Sequence, residues 1–387
     1  LQVRPTEPSI SQAPSSPQET SVSWRWVASS SRREKSVEGM ILGCAIGEAL
    51  AIPRDRMPRR RALKIFGATP IRFQFQPGVG VPAERTHGLL MTIQAMLESR
   101  ADYRAFGRKL QRRLSWYRIS FPIRTLGRSL RPALALTDRL AMPKGLAGDP
   151  LIRSVSISLL IQGSQHALPW IEQSTRISLR DSRAEEACLL IAHATQLAQM
   201  MDPGETPLSP IDAFAKLEGM TEDNELRQGL ERLRGFWKKG LSVGRAAKGM
   251  GWGEGIPSDL RAIALIAIYA WLRHPNRFRL AVERTVLLGG ECSSAAALVG
   301  ALSGTTLGKR GIPPEWLKRI SLFPHDRHWR EDLINRVKDW PHGVEDIQKA
   351  RSQPSRILGQ LLRNASFSLF KLIHLAIRIP SRLVPYR

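Results

Sequence analysis

Residues 287–308 read LLGGECSSAAALVGALSGTTLG, and no other stretch restricts the fold of this chain as much. Within it Gly300, Gly304 and Gly308 recur at four-residue spacing. Residues four apart share one face of a helix, so a helix over 294–307 presents a strip without side chains. Such a strip lets a second backbone approach closely. At the head of this helix, Glu291-Cys292-Ser293-Ser294 gathers polar groups after a Gly-Gly pair. Two uses are open to it: a tightly packed core helix with a glycine-rich entry, or a functional site at its N-terminus.

The chain has 387 residues, enough for one large domain or two ordinary ones with a sizeable core. Charge is the anomaly in its composition. Lys and Arg number 58 against 34 Asp and Glu, a formal net charge of +24. That balance favours anionic partners such as phosphorylated ligands, acidic lipid or nucleic acid. No aromatic-interleaved basic block resembles a nucleic-acid-binding signature, so nucleic acid is the least expected of the three. Cys44, Cys188 and Cys292 lie far apart, which suits neither a zinc site nor a disulfide framework and fits a reducing compartment. There is no basic-then-apolar leader and no uninterrupted apolar run of about 18 residues. The expected location is cytoplasmic, with peripheral membrane association open.

Along the chain, residues 1–36 are rich in Ser, Pro, Gln and Glu and read as a disordered tail, with order beginning near Val37. VEGMILGCAIGEALAIP then suits a buried helix. Arg54, Arg56, Arg59, Arg60, Arg61 and Lys64 form a basic run in a loop and short helix. Helical patterns follow from Glu84 and Tyr103, and over 150–162, 184–201, 225–238, 260–272 and 279–288. Strand-like alternation is confined to residues 71–75. The expectation is an all-α fold, a single large helical domain over 37–341. Beyond it lies a basic extension, 342–387, which has no acidic residue after Asp346. Residues 357–379 of that extension pattern as a basic amphipathic helix carrying Leu361, Leu362, Phe367, Phe370 and Ile373. It can dock on the main domain or lie on an anionic membrane surface.

Four stretches together resemble the ADP-ribosylglycohydrolase family, the group that includes dinitrogenase reductase-activating glycohydrolase. GMILGCAIGEALAIPRD (39–55) resembles its opening helix. ERTHGLLMTIQAML (84–97) resembles the segment that normally opens Asp-Asp-Thr. KGLAGDPLIRS (144–154) resembles a Gly-Asn-Gly…Met-Arg segment. GGECSSAAALVGALSGTTLGKRGIPPEW (289–316) resembles Gly-Gly-Asp-Thr-Asp-Thr and the small-residue helix after it. The resemblance implies an all-helical fold and two bound divalent cations, usually magnesium. It also implies hydrolysis of the bond joining ADP-ribose to a protein side chain, so the implied partner is ADP-ribose or an ADP-ribosylated protein. On this resemblance the metal positions are Glu84, Thr86, Glu291, Ser293 and Ser294. Glu84 and Asp55 take the catalytic positions, and Glu48, Arg85 and Arg153 the ligand-binding ones.

The departures from the family pattern fall on the metal ligands. Where the family has four carboxylates, this chain has Glu84, Arg85, Glu291 and Ser293, a net charge of −1 instead of −4. At about 4 Å and an effective dielectric near 20, each charge–charge term is worth roughly 4 kcal/mol. Magnesium binding at the family's level is therefore not expected. Arg85 is expected to occupy the vacated metal region and to pair with Glu84, Glu291 or both. His87 and Cys292 read as structural. Three functions stay open: a hydrolase in which Glu84, Glu291, Thr86 and Ser294 hold one cation; a non-catalytic binder of ADP-ribose or another anion; and a basic membrane-associated scaffold.

Overall fold

Backbone groups away from water need partners, and this chain supplies them almost entirely within helices. The computed structural model describes residues 30–99, 102–119, 149–161, 163–201, 208–340 and 355–378. In the first third lie α1 (Ser30–Ala51), α2 (Arg59–Phe66), α3 (Glu84–Glu98) and α4 (Tyr103–Ile119). The middle holds α5 (Asp149–Leu160), α6 (Ser164–Arg176), α7 (Ser182–Met200), α8 (Pro210–Met220), α9 (Asn224–Lys238) and α10 (Val243–Gly249). Then come α11 (Leu260–Arg273), α12 (Phe278–Val286), α13 (Cys292–Leu307), α14 (Pro314–Leu317), α15 (Arg327–Asp339) and α16 (Ser355–Arg378). Extended pairing among the described residues is limited to isolated bridges. The all-α expectation holds, and residues 71–75 form no strand.

The centre is an antiparallel pair, α1 against α13. Gly39, Gly43 and Gly47 recur every four residues in α1 and face Gly304, Gly300 and Ala296 of α13. A Cβ on any of the three α1 glycines would sit 2.0 Å from a carbonyl oxygen of α13. The strip on α13 is thus met by a second strip on α1, and the two backbones touch. Gly308 has another role: it ends α13 with φ +66° and ψ −175°, a backbone conformation that essentially only glycine adopts. α1 is also long and apolar enough to cross a bilayer, but 89% of that stretch is buried inside the protein. Around the pair pack α3, α5, α7, α11 and α12. α11 buries nearly all its side chains, and the indole Nε1 of Trp271 donates to Thr306 Oγ1 at 3.2 Å.

One expected boundary changes. α1 starts at Ser30, seven residues before the expected onset. Arg33 explains the difference: its guanidinium is buried and donates to the Trp340 carbonyl at 2.9 Å. That long-range bond leaves no local sequence signal. Residues 1–29, and the second helical pattern expected after Phe121-Pro122, lie outside the described residues.

The C-terminal helix docks, by the phenylalanines of its expected apolar pattern and not by its leucines. Phe367 packs on Phe75 with ring centroids 4.7 Å apart, and His374 stacks on the same ring at 5.0 Å. Leu361, Leu362 and Ile373, read as part of the same stripe, face solvent instead.

Candidate functional site

Three loops meet at the head of α13 and are sewn together by backbone hydrogen bonds. Arg56 N–H donates to the Gly290 carbonyl and Gly290 N–H to the Met57 carbonyl, both at 2.7 Å. Glu291 N–H donates to the Ile256 carbonyl at 2.9 Å. The Gly-Gly pair is what permits this. Gly289 and Gly290 have φ +73° and +63°, and a Cβ on Gly290 would lie 2.2 Å from the Ile256 carbonyl oxygen. Arg56 shares the left-handed conformation, at φ +60°. For a non-glycine residue that costs on the order of 1–2 kcal/mol. The strained backbone aims its side chain at Glu291, with Nε 3.1 Å from Oε1.

The side chains under these loops form a closed ionic cluster. Glu48, wholly buried in α1, accepts from Arg85 N–H and Thr86 N–H, both at 3.0 Å, and from the Thr86 hydroxyl at 2.7 Å. One carboxylate thus satisfies two of the unpaired amides that begin α3. The Arg85 guanidinium lies between α1 and α13. Its Nε donates to Ser294 Oγ at 2.9 Å, and its other nitrogens stand 3.6 Å from Glu48 and 3.8 Å from Glu291. The last two are charge contacts rather than hydrogen bonds. Ser258 donates to Glu291 Oε1 at 3.1 Å. Two guanidiniums, Arg85 and Arg56, face the carboxylates of Glu48 and Glu291, and Asp55 stands 4.0 Å from Arg56 as a third. Burial pushes the Glu291 carboxyl above the usual range, as does the nearby Asp55 charge, while Arg56, Arg85 and Ser258 oppose the rise.

The expected residues are therefore brought together only in part. Thr86, Glu291 and Ser294 join the cluster, and so do Glu48 and Arg85. Arg85 contacts Glu291 and Glu48, and Glu84 stands at the first turn of α3. Asp55 caps α13, accepting from Ser293 N–H at 3.1 Å, and Ser293 itself is fully buried. Arg153 sits elsewhere. It is fully buried and braces α5 against α6, donating to Ser174 Oγ and its carbonyl at 2.8 and 2.7 Å and to Ser178 Oγ at 3.0 Å. Cys292 is a buried filler whose thiol approaches the Ala51 carbonyl at 3.8 Å.

Arg56 and Ser258 escaped the sequence reading. Arg56 was one of a run of arginines, and nothing local separates it from Arg54. The latter is buried and donates to the Phe66 and Gly67 carbonyls at 2.9 Å, at the end of α2. Ser258 opens onto a cleft of about 340 Å³ lined also by Leu179, Asp181, Arg183, Asp259 and Arg261. Asp181 and Asp259 cap the N-termini of α7 and α11 there.

α16 adjoins the other side of the cluster. Arg363 donates to Tyr117 Oη at 3.0 Å and also to the Pro82 carbonyl, just before α3. Tyr117 in turn stacks on His87 at 5.4 Å. Desolvation lowers the Lys371 pKa, with Glu84 and Asp55 pulling the other way.

His87 is buried, and desolvation, Arg363 and His325 hold its pKa well below the ordinary 6.5. It is neutral in the folded protein. The unfolded chain takes up this proton as pH falls below about 6.5 and the folded chain does not, so stability present above that pH is lost below it. The slope from one such histidine is up to about 1.4 kcal/mol per pH unit. His193 and His274 are lowered by burial as well. Urea unfolding midpoints measured from pH 7 to 5 are expected to fall, and His87→Gln to flatten that fall. An unchanged slope in the variant would remove His87 from the account.

The sequence profile described as ADP-ribosylglycohydrolase matches residues 29–346. An ADP-ribosylarginine hydrolase, Tri1 of Pseudomonas putida strain GB-1, is 23% identical over 320 residues, 78% of each chain. A solved structure titled "ADP-ribosylglycohydrolase-related protein complex" superposes with a TM-score of 0.53 at 20% identity. It covers 80% of this chain and 97% of that one. The profile match spans most of the chain, including α1, α3 and the glycine turn into α13 that build the cluster, and it shows that this chain belongs to the ADP-ribosylglycohydrolase family.

Proposed function

We propose that this chain keeps the family's fold and a cleft for ADP-ribose-bearing ligands while lacking metal-dependent cleavage, and so acts as a non-hydrolytic binder. One observation carries the reading: the Arg85 guanidinium lies between Glu48 and Glu291 with its Nε bonded to Ser294. Hard dications need several oxygen ligands with lone pairs directed at the metal. Here the Ser294 oxygen already accepts from Arg85. Both oxygens of Glu48 accept from α3, and Oε1 of Glu291 is shared between Arg56 and Ser258. A cation beside Arg85 would also meet roughly 4 kcal/mol of repulsion for each unit of its charge at about 4 Å. These residues do not fit the family's pair of magnesium ions. A single cation held by Glu84, Glu291, Thr86 and Ser294 fares no better, because the Arg85 guanidinium that bonds Ser294 stands beside that site and repels it.

What the chain offers a ligand is the cleft beside Ser258. Arg183 and Arg261 line it, paired at 3.3 and 3.5 Å with Asp181 and Asp259, and a diphosphate would bind there by exchanging those carboxylates for its own oxygens. Neither Arg153 nor Arg85 is exposed for that role.

Two measurements test the proposal. Incubation with protein ADP-ribosylated on arginine, with and without magnesium, is expected to release no ADP-ribose above the buffer blank. Calorimetry is expected to detect ADP-ribose binding without added metal, and no micromolar, stoichiometric site for magnesium or manganese. Magnesium-dependent turnover sinks the non-hydrolytic reading, and failure to bind ADP-ribose sinks the ligand.

A further inference from the structure

The C-terminal helix carries two faces of opposite destination. At about 100° per residue, Arg363, Phe367, Phe370 and His374 share the arc that meets the body. The first three lie against Tyr117, Pro82 and Phe75, and His374 sits 2.8 Å from the Phe75 carbonyl. On the opposite side Leu358, Leu361, Leu362, Leu369, Leu372 and Ile373 all face solvent, with Leu358 72% and Leu362 64% exposed. By the same geometry these six fall within an arc of about 120° and run along about 22 Å of helix. Ala365 and Ser366 are exposed among them, so this face bears no charge. An amphipathic helix normally hides its apolar side in the protein; this one does the reverse.

We propose that this outward face seats the protein on an anionic lipid bilayer, with α16 lying in the interface plane. The charge distribution selects that occupant. In the sequence Lys349 and Arg351 precede the helix, Arg382 and Arg387 follow it, and no acidic residue occurs after Asp346. An uncharged apolar stripe between cationic ends suits acyl chains flanked by anionic headgroups. A second copy of this chain is disfavoured, because both partners carry +24. Insertion across the bilayer is not implied. Among the described residues the one helix long and apolar enough to span is α1, which is buried. The inference is independent of whether the cleft binds ADP-ribose.

The test is co-sedimentation of the full chain with phosphatidylcholine vesicles, with and without phosphatidylglycerol. Binding is expected to the anionic vesicles, to weaken with salt, and to be slight on the zwitterionic ones. A double substitution, Leu362→Gln with Leu369→Gln, leaves net charge unchanged and touches only solvent-facing positions. It is expected to cut the bound fraction about tenfold or more with no change in thermal midpoint. Three outcomes overturn the proposal. One is no binding to anionic vesicles. Another is equal binding by the double variant, which would reduce the effect to the bulk charge of the body. The third is a dimer seen by light scattering and lost in that variant, which would assign the face to a second copy.

Discussion

Arg85→Ala is expected to destabilise the protein by about 3–5 kcal/mol, the range for removing one partner of a buried ion cluster. The size follows from what is left behind. Glu48 and Glu291 are both buried; Glu48 would lose its Arg85 charge contact, and Glu291 would keep Arg56. The Ser294 hydroxyl would lose its donor as well. A fall in melting temperature on the order of 10 °C is the corresponding readout. A loss under about 1 kcal/mol would mean that the cluster is solvated and that Arg85 is not its counter-ion. Arg85→Lys should fall between. The ammonium keeps the charge, but it cannot span two carboxylates and a hydroxyl with a rigid fork.

The same position offers a converse experiment. Arg85→Asp with Ser293→Asp restores the family's acidic pattern around Glu291. Without metal this variant should be less stable than Arg85→Ala, since it adds like charges to a buried site. Magnesium should then raise its melting temperature with the logarithm of ligand excess while leaving the parent unmoved. Magnesium stabilisation of the parent to the same extent would count against a guanidinium in the metal's place.

The second large effect is expected at the backbone contact. A Cβ on Gly300 would sit 2.0 Å from the Gly43 carbonyl oxygen and 2.7 Å from its carbon. Both neighbours are backbone, so no rotamer change relieves the overlap and the two helices must separate along their length. Overpacking a core ordinarily costs about 1–3 kcal/mol. Here the cost of Gly300→Val should exceed about 4 kcal/mol, a large part of a typical domain's total stability. The variant is expected to be insoluble or unfolded by circular dichroism. Gly219→Ala in α8 is the internal reference, since a Cβ there meets nothing within 4 Å. It should gain up to about 1 kcal/mol from helix propensity alone. Normal folding of Gly300→Val would mean that the α1–α13 contact is looser than described.

Some elements were legible from local signals and others were not. α7, α9, α11 and α13 follow from apolar periodicity, and their ends fall within two residues of expectation. α8 was missed although its signals are present: Ser209 caps it and Pro210 opens it. α6 carries an internal proline at Pro169, and α15 is dominated by charge; in both, packing overrides weak patterns. The glycine strip of α13 was visible, while its match in Gly39, Gly43 and Gly47 was not recognised as a counterpart. Registering two strips 4 + 4 residues apart in sequence spacing requires knowing that the helices are antiparallel neighbours.

What the sequence determined by itself is the helical class, the close-packing strip and the substitution of Arg85 and Ser293 at acidic positions. The first two are properties of residue type and spacing, which are local; the third rests on the resemblance to the family. Only the tertiary structure decided that Glu48 is a partner of Arg85, that Arg56 completes the cluster from a strained turn, and that Arg153 is a buried brace. It also turned the leucines of the last helix outward and its phenylalanines inward. Each of these depends on which side chains meet across hundreds of residues of chain, and burial then fixes their worth, since a charge without a partner costs far more inside a protein than in water.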